Sequence, residues 1–153
     1  MESLSKVFRE HSLFCDLETK YVDLLVECAS LVKFEEDQLI FKEGDPADTF
    51  YIVRYGKVAI EMYVPHIGAK TIETLGEDGV LGWAWLFPPY KWHFDARALQ
   101  LTRAIAVNGK CFLNKIENDH NLGFIFMKKF NKIMQTRLQA TRHRLIDMYG
   151  SNK

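Results

Sequence analysis

Apolar residues recur along this chain with different rhythms, and the changes of rhythm divide it into three parts. Over the first thirty residues the spacing is helical. Leu4, Val7 and Phe8 share one face, and Tyr21, Leu24, Leu25 and Cys28 share another after the polar stretch Asp16 to Thr19. Short packing helices are expected there. From Leu31 to about Val107 the period shortens to that of strands, with Phe34, Leu39, Ile40, Phe41, Phe50, Tyr51, Ile52, Val53, Val58, Ile60 and Met62 separated by polar or turn-forming residues. The breaks fall at residues 44–48, 55–57, 65–68 and 76–79, each holding glycine, the regular spacing of an antiparallel barrel or sandwich. A jelly-roll-like β-roll fits this middle part.

Helical spacing returns after Asn108, a residue able to cap the segment 109–118, and a longer helix is expected over about 121–149. Leu122, Phe126 and Ile133 widen the apolar face of its first half. Phe130, Met134, Leu138, Thr141, Leu145 and Met148 continue it as a seam spaced by four or three residues. A helix of about 43 Å, at 1.5 Å per residue, overshoots a small barrel. The seam therefore predicts a homodimer, with Thr141 as its polar interruption.

The expected organisation is one domain: N-terminal helices over 1–30, the β-roll over 31–107 and C-terminal helices over 108–153. Its 153 residues, 48% of them apolar, suffice for a core. Twenty basic side chains offset twenty acidic ones, so no overall field draws nucleic acid. Cys15, Cys28 and Cys111 have no paired spacing, and reduced, mostly buried thiols are expected. The N-terminus lacks the pattern of a signal peptide and no apolar run is long enough to span a bilayer, which favours a cytoplasmic protein.

Candidate chemistry concentrates between residues 81 and 98, where all three tryptophans stand. Gly82 frees the backbone, a short turn through Trp83, Ala84 and Trp85 offers N–H groups without internal partners, and the next strand brings Trp92, His93 and Arg97. That combination is a candidate anion cradle. The indoles, with Tyr90, either stack a planar ligand or fill the cavity themselves. Pro88 and Pro89 stiffen the intervening loop.

The run Glu43-Gly44-Asp45-Pro46-Ala47-Asp48-Thr49-Phe50-Tyr51-Ile52-Val53, followed by Gly56-Lys57-Val58, resembles the cyclic-nucleotide-binding domain family. The likeness continues through Gly79 and Gly82, at the place of the family's phosphate-binding cassette. Arg137-Leu138-Gln139-Ala140-Thr141 looks like the long helix of catabolite-activator-type regulators. The resemblance implies a β-roll with flanking helices, a ligand held between cassette and long helix, and often a two-fold dimer. It also implies that glutamate should follow the cassette glycine and grip a ribose hydroxyl, with an arginine about nine residues on pairing with the phosphate. Trp83 and Trp92 hold those places here. An indole has one N–H donor and can neither accept for a hydroxyl nor fork onto a phosphate. Backbone N–H groups at 82–84 and a cation from His93 or Arg97 are the available replacements, so weak binding of cyclic AMP is expected.

Other chemistry finds little support. Cys15 and Cys28 lack the clustering of an iron-sulfur site, and His11, His66, His93, His120 and His143 are scattered, so no metal is expected. A nucleophile elbow and a phosphate loop followed by lysine are both absent, and no enzyme is expected. Asp95 and Arg97 alternate onto one strand face and are expected to pair. Arg137, Arg142, His143 and Arg144 form a basic run, but no reading head follows it, so direct DNA binding is not expected.

The leading expectation is a non-enzymatic regulatory module that senses a cyclic nucleotide or another small anionic or aromatic ligand. The long helix, including Thr141 and Arg142, would pass the signal to an unidentified partner protein. The alternative is a ligand-free adaptor with a tryptophan-filled pocket. A DNA-binding regulator is the third reading.

Overall fold

The computed structural model describes residues 3–77, 79–82 and 84–151. Helix α1 (Leu4–Glu10) opens on Ser3, whose Oγ accepts a hydrogen bond from Lys6 N–H at 3.2 Å and supplies a partner that the first turn lacks. Helix α2 (Thr19–Val26) follows and buries Tyr21, Val22 and Leu25. The strands are β1 (Ala29–Phe34), β2 (Leu39–Phe41), β3 (Thr49–Tyr55), β4 (Val58–Val64), β5 (Gly68–Leu75), β6 (Val80–Leu81), β7 (Asp95–Ala98) and β8 (Thr102–Asn108). They pair antiparallel in two four-stranded sheets, ordered β1-β8-β3-β6 and β2-β7-β4-β5. This is the β-roll that the short strands and regular turns predict.

Alternation along the strands fills the interior. Phe41, Val53, Val58, Ile60, Leu81, Trp92 and Ala96 belong to one buried cluster there. Strand β3 is covered on both faces: Tyr51 and Val53 pack with that cluster, whereas Phe50 meets Trp85 and Phe112 on the other side, with ring centroids 5.0 and 5.4 Å away. The near-continuous apolar run Phe50–Val53 follows from that double burial. The β3–β4 turn depends on Gly56, at φ +110°, because a Cβ there would lie 2.4 Å from Thr102 Oγ1.

Helix α3 (Gly109–Asn118) is capped as expected: Asn108 Oδ1 accepts from Cys111 N–H at 2.9 Å. Helix α4 (His120–Ser151) runs 32 residues, slightly beyond the expected range at both ends. Contacts divide the chain into two compact units, Met1–Lys115 and Ile116–Lys153, the boundary falling inside α3. No described helix is long and apolar enough to cross a membrane.

The cysteines require a correction. Cys28 and Cys111 form a disulfide, and Cys15 is exposed, in place of three reduced and mostly buried thiols. The fold brings the start of α3 onto the α2–β1 junction, where Asn108 N–H also donates to the Cys28 carbonyl at 2.8 Å and Lys115 pairs with Glu27.

Candidate functional site

The cassette begins where β6 ends. Gly82 stands at φ +105°, and a Cβ on it would come within 2.4 Å of Trp92 Cη2 and 2.7 Å of Cζ3. Glycine is therefore required twice, by the backbone conformation and by an indole lying against its Cα. Residues 84–86 form a turn rather than a helix. Trp83, the residue in the place of the glutamate, lies outside the described residues.

Trp85 and Trp92 take opposite directions. Trp85 leaves the roll interior: its Nε1–H donates to the Gly82 carbonyl at 3.0 Å, and its ring stacks on Phe50 and meets Phe112 edge-on. Trp92 enters the interior, 5% exposed, parallel to Phe41 with ring centroids 3.7 Å apart and an interplanar angle of 7°. Its backbone is held as well, with Trp92 N–H donating to Asp45 O at 3.0 Å and Gly44 N–H donating to Trp92 O at 2.8 Å. Phe94 packs on the same pair of rings.

The candidate cations do not join this arrangement. His93, between Trp92 and Phe94, is exposed. Arg97 alternates with Ala96 and Ala98, which are fully buried, and so lies on the opposite face of β7. Its guanidinium is also engaged there: Nε bonds Glu61 Oε1 at 3.0 Å and Nη1 donates to the Asp37 carbonyl at 3.0 Å. Arg97, one of the two candidate cations for the cradle, thus makes its bonds on the outer face of β7. It does not pair with Asp95, which instead accepts from Glu43 N–H at 2.7 Å. Among the described residues, then, Arg97 is held by Glu61 and the Asp37 carbonyl, and His93 is exposed.

Thr141 and Arg142 belong to the second compact unit and are both exposed. The Thr141 hydroxyl donates to the Arg137 carbonyl one turn back at 3.0 Å. Sequence reasoning missed Phe41 as the platform for Trp92, because the two are paired by the fold and not by spacing. No group of three histidine, cysteine, aspartate or glutamate side chains among the described residues is placed to hold a metal ion.

Comparison with known proteins agrees with this geometry. The family model for the cyclic nucleotide-binding domain matches residues 31–119. A CRP-like cAMP-activated global transcriptional regulator of Mycobacterium tuberculosis is 21% identical over 145 residues, covering 95% of this chain. The chain spans 63% of that relative's length. Among solved structures, a cyclic nucleotide-binding domain from Methylobacillus flagellatus superposes with a TM-score of 0.80 at 18% identity, covering 95% of this chain and 82% of the other. The sensor domain of the transcriptional regulator DNR from Pseudomonas aeruginosa gives 0.70 at 20% identity, covering 88% and 91%. The β-roll, the cassette and a family match over more than half of its residues together establish that the chain belongs to the cyclic nucleotide-binding domain family.

Proposed function

We propose that the chain is a non-enzymatic regulatory module of this family in which recognition of cyclic nucleotide is weakened and output passes through the long helix to a partner protein. The observation that carries the reading is the Trp92 indole, stacked on Phe41 and resting on Gly82. In the family the corresponding residue is an arginine that neutralises the phosphate. Here an aromatic ring takes its place, and a phosphate buried beside that ring without a cation meets a large desolvation cost.

Isothermal titration of cyclic AMP and cyclic GMP into the wild-type chain and into a Trp83→Glu/Trp92→Arg double variant tests the reading. No saturable binding at micromolar concentrations is expected for the wild type, with a gain of affinity in the double variant, which restores an acid and a guanidinium. Tight binding of cyclic AMP to the wild type would refute it.

The same ring also favours a second reading, a protein-interaction adaptor with no small ligand. Native mass spectrometry and tryptophan fluorescence against a nucleotide panel separate the two: bound mass or quenching supports sensing, and silence supports the adaptor. In both readings the exposed seam of α4, with Met134, Leu138, Leu145 and Met148, supports a homodimer, and direct DNA binding is not proposed.

A further inference from the structure

We propose a ligand site on the outer side of the cassette, between it and α3, which takes a small aromatic carboxylate. A cavity of about 500 Å³ lies there, within the range that encloses a small organic molecule. Every residue lining it belongs to the unit Met1–Lys115. The site is separate from the interior space that Trp92 occupies, so it goes beyond the reading above and does not depend on it.

The walls are apolar and fixed. Trp85 forms one of them, and its indole cannot swing freely because Nε1–H is bonded to the Gly82 carbonyl and the ring is stacked on Phe50. Gly109 sets the approach of α3. A Cβ on Gly109 would lie 3.0 Å from Trp85 Cβ and 3.1 Å from the Asp48 carbonyl oxygen, so the first turn of α3 reaches the indole only without a side chain there. Pro46 and Leu113 extend the apolar lining, and Tyr90, 47% exposed and at φ 58°, stands at the rim. An aromatic ligand suits a lining that combines the Trp85 indole with the aliphatic carbons of Pro46 and Leu113.

Two charged lining residues define the polar end. Lys110 is exposed, has no ion pair among the described residues, and stands in the first turn of α3, where backbone N–H groups add positive potential. Asp48 also lines the cavity. Its Oδ1 accepts from the Thr49 hydroxyl at 3.1 Å, and its carbonyl accepts from Gly109 N–H at 2.8 Å. An anionic group is therefore drawn to Lys110, and a ring amino, imino or hydroxyl donor to Asp48. A ligand so seated touches the cassette through Trp85 and Tyr90 and α3 through Lys110 and Leu113, which couples the two elements directly.

The test is calorimetric titration of the full chain with indole-3-acetate, alongside indole and tryptamine. Saturable binding of indole-3-acetate is expected, with indole and tryptamine at least about tenfold weaker, the loss of one charge-assisted contact. Lys110→Gln, a surface change, should lower affinity for indole-3-acetate about tenfold and leave indole unchanged. Leu113→Trp should abolish binding by filling the cavity, whereas Trp92→Phe, confined to the roll interior, should leave it intact. No saturable binding at millimolar indole-3-acetate would overturn the proposal. Equal binding of tryptamine, or loss of binding in Trp92→Phe with retention in Leu113→Trp, would do so too. Tight cyclic AMP binding that survives Leu113→Trp would sink the earlier reading alone.

Discussion

The ring of Trp92 lies buried, parallel to Phe41 and against the bare Cα of Gly82, so its truncation leaves a large cavity in the roll interior. Trp92→Ala is therefore expected to cost about 3–5 kcal/mol, the range for truncating a buried large aromatic, measured by urea denaturation. Trp92→Phe should cost less because the stack survives. Tyr51, beside the same cluster, carries a separate prediction. Burial, and secondarily the Asp48 carboxylate, raise its phenol above the ordinary value of 10.0. The folded chain holds that proton more tightly than the unfolded one, so its contribution to stability is intact below the unfolded value and is lost as pH climbs through the raised one. Melting temperature should fall more steeply above about pH 10 in the wild type than in Tyr51→Phe. Equal slopes would mean that the phenol is not linked to folding.

Strands were legible because a half-buried strand must alternate, and glycine turns mark the ends of several of them, β3 to β6 among these. The cassette was legible as a departure, since indoles at 83 and 92 stand where the family's pattern has charges. Two things were hidden. The direction of Arg97 depends on the register of β7 against β4, which pairs Ala96 with Ile60 in the core and sends Arg97 outward to Glu61. The Cys28–Cys111 pair spans 83 residues and exists only because α3 folds back onto the end of α2. That separation gives the bond its thermodynamic weight: closing so long a loop in the unfolded chain is worth about 4 kcal/mol, or roughly 10 °C in melting temperature for a chain of this size. Cys28→Ser should show a loss of that order under non-reducing conditions, and the wild type in reductant should melt with it. If reductant leaves the wild type unchanged, the disulfide is not closed in solution.

Helix α4 changes character along its length, and that change bears on how the molecule assembles. Leu122, Phe126 and Phe130 are buried, whereas from Asn131 onward the described side chains are exposed except for Ile133 and Arg137, which are half-buried. Leu138 is 50% and Leu145 51% exposed, with Met134 and Met148 on the same seam. Isolated apolar residues on a surface need no explanation, but a seam spaced by four and three residues over several turns has the geometry of a helix awaiting a second helix. If the partner is another copy, two apolar positions on each strand of the seam meet their counterparts across a two-fold axis, and a charge placed there is doubled in the interface. Leu138→Lys/Leu145→Lys should therefore convert a dimer to a monomer by light scattering at unchanged helix content, because both positions are solvent-facing within the single chain. A wild type already monomeric at micromolar concentration would leave the seam to a different protein. A variant that stays dimeric would move the contact off α4.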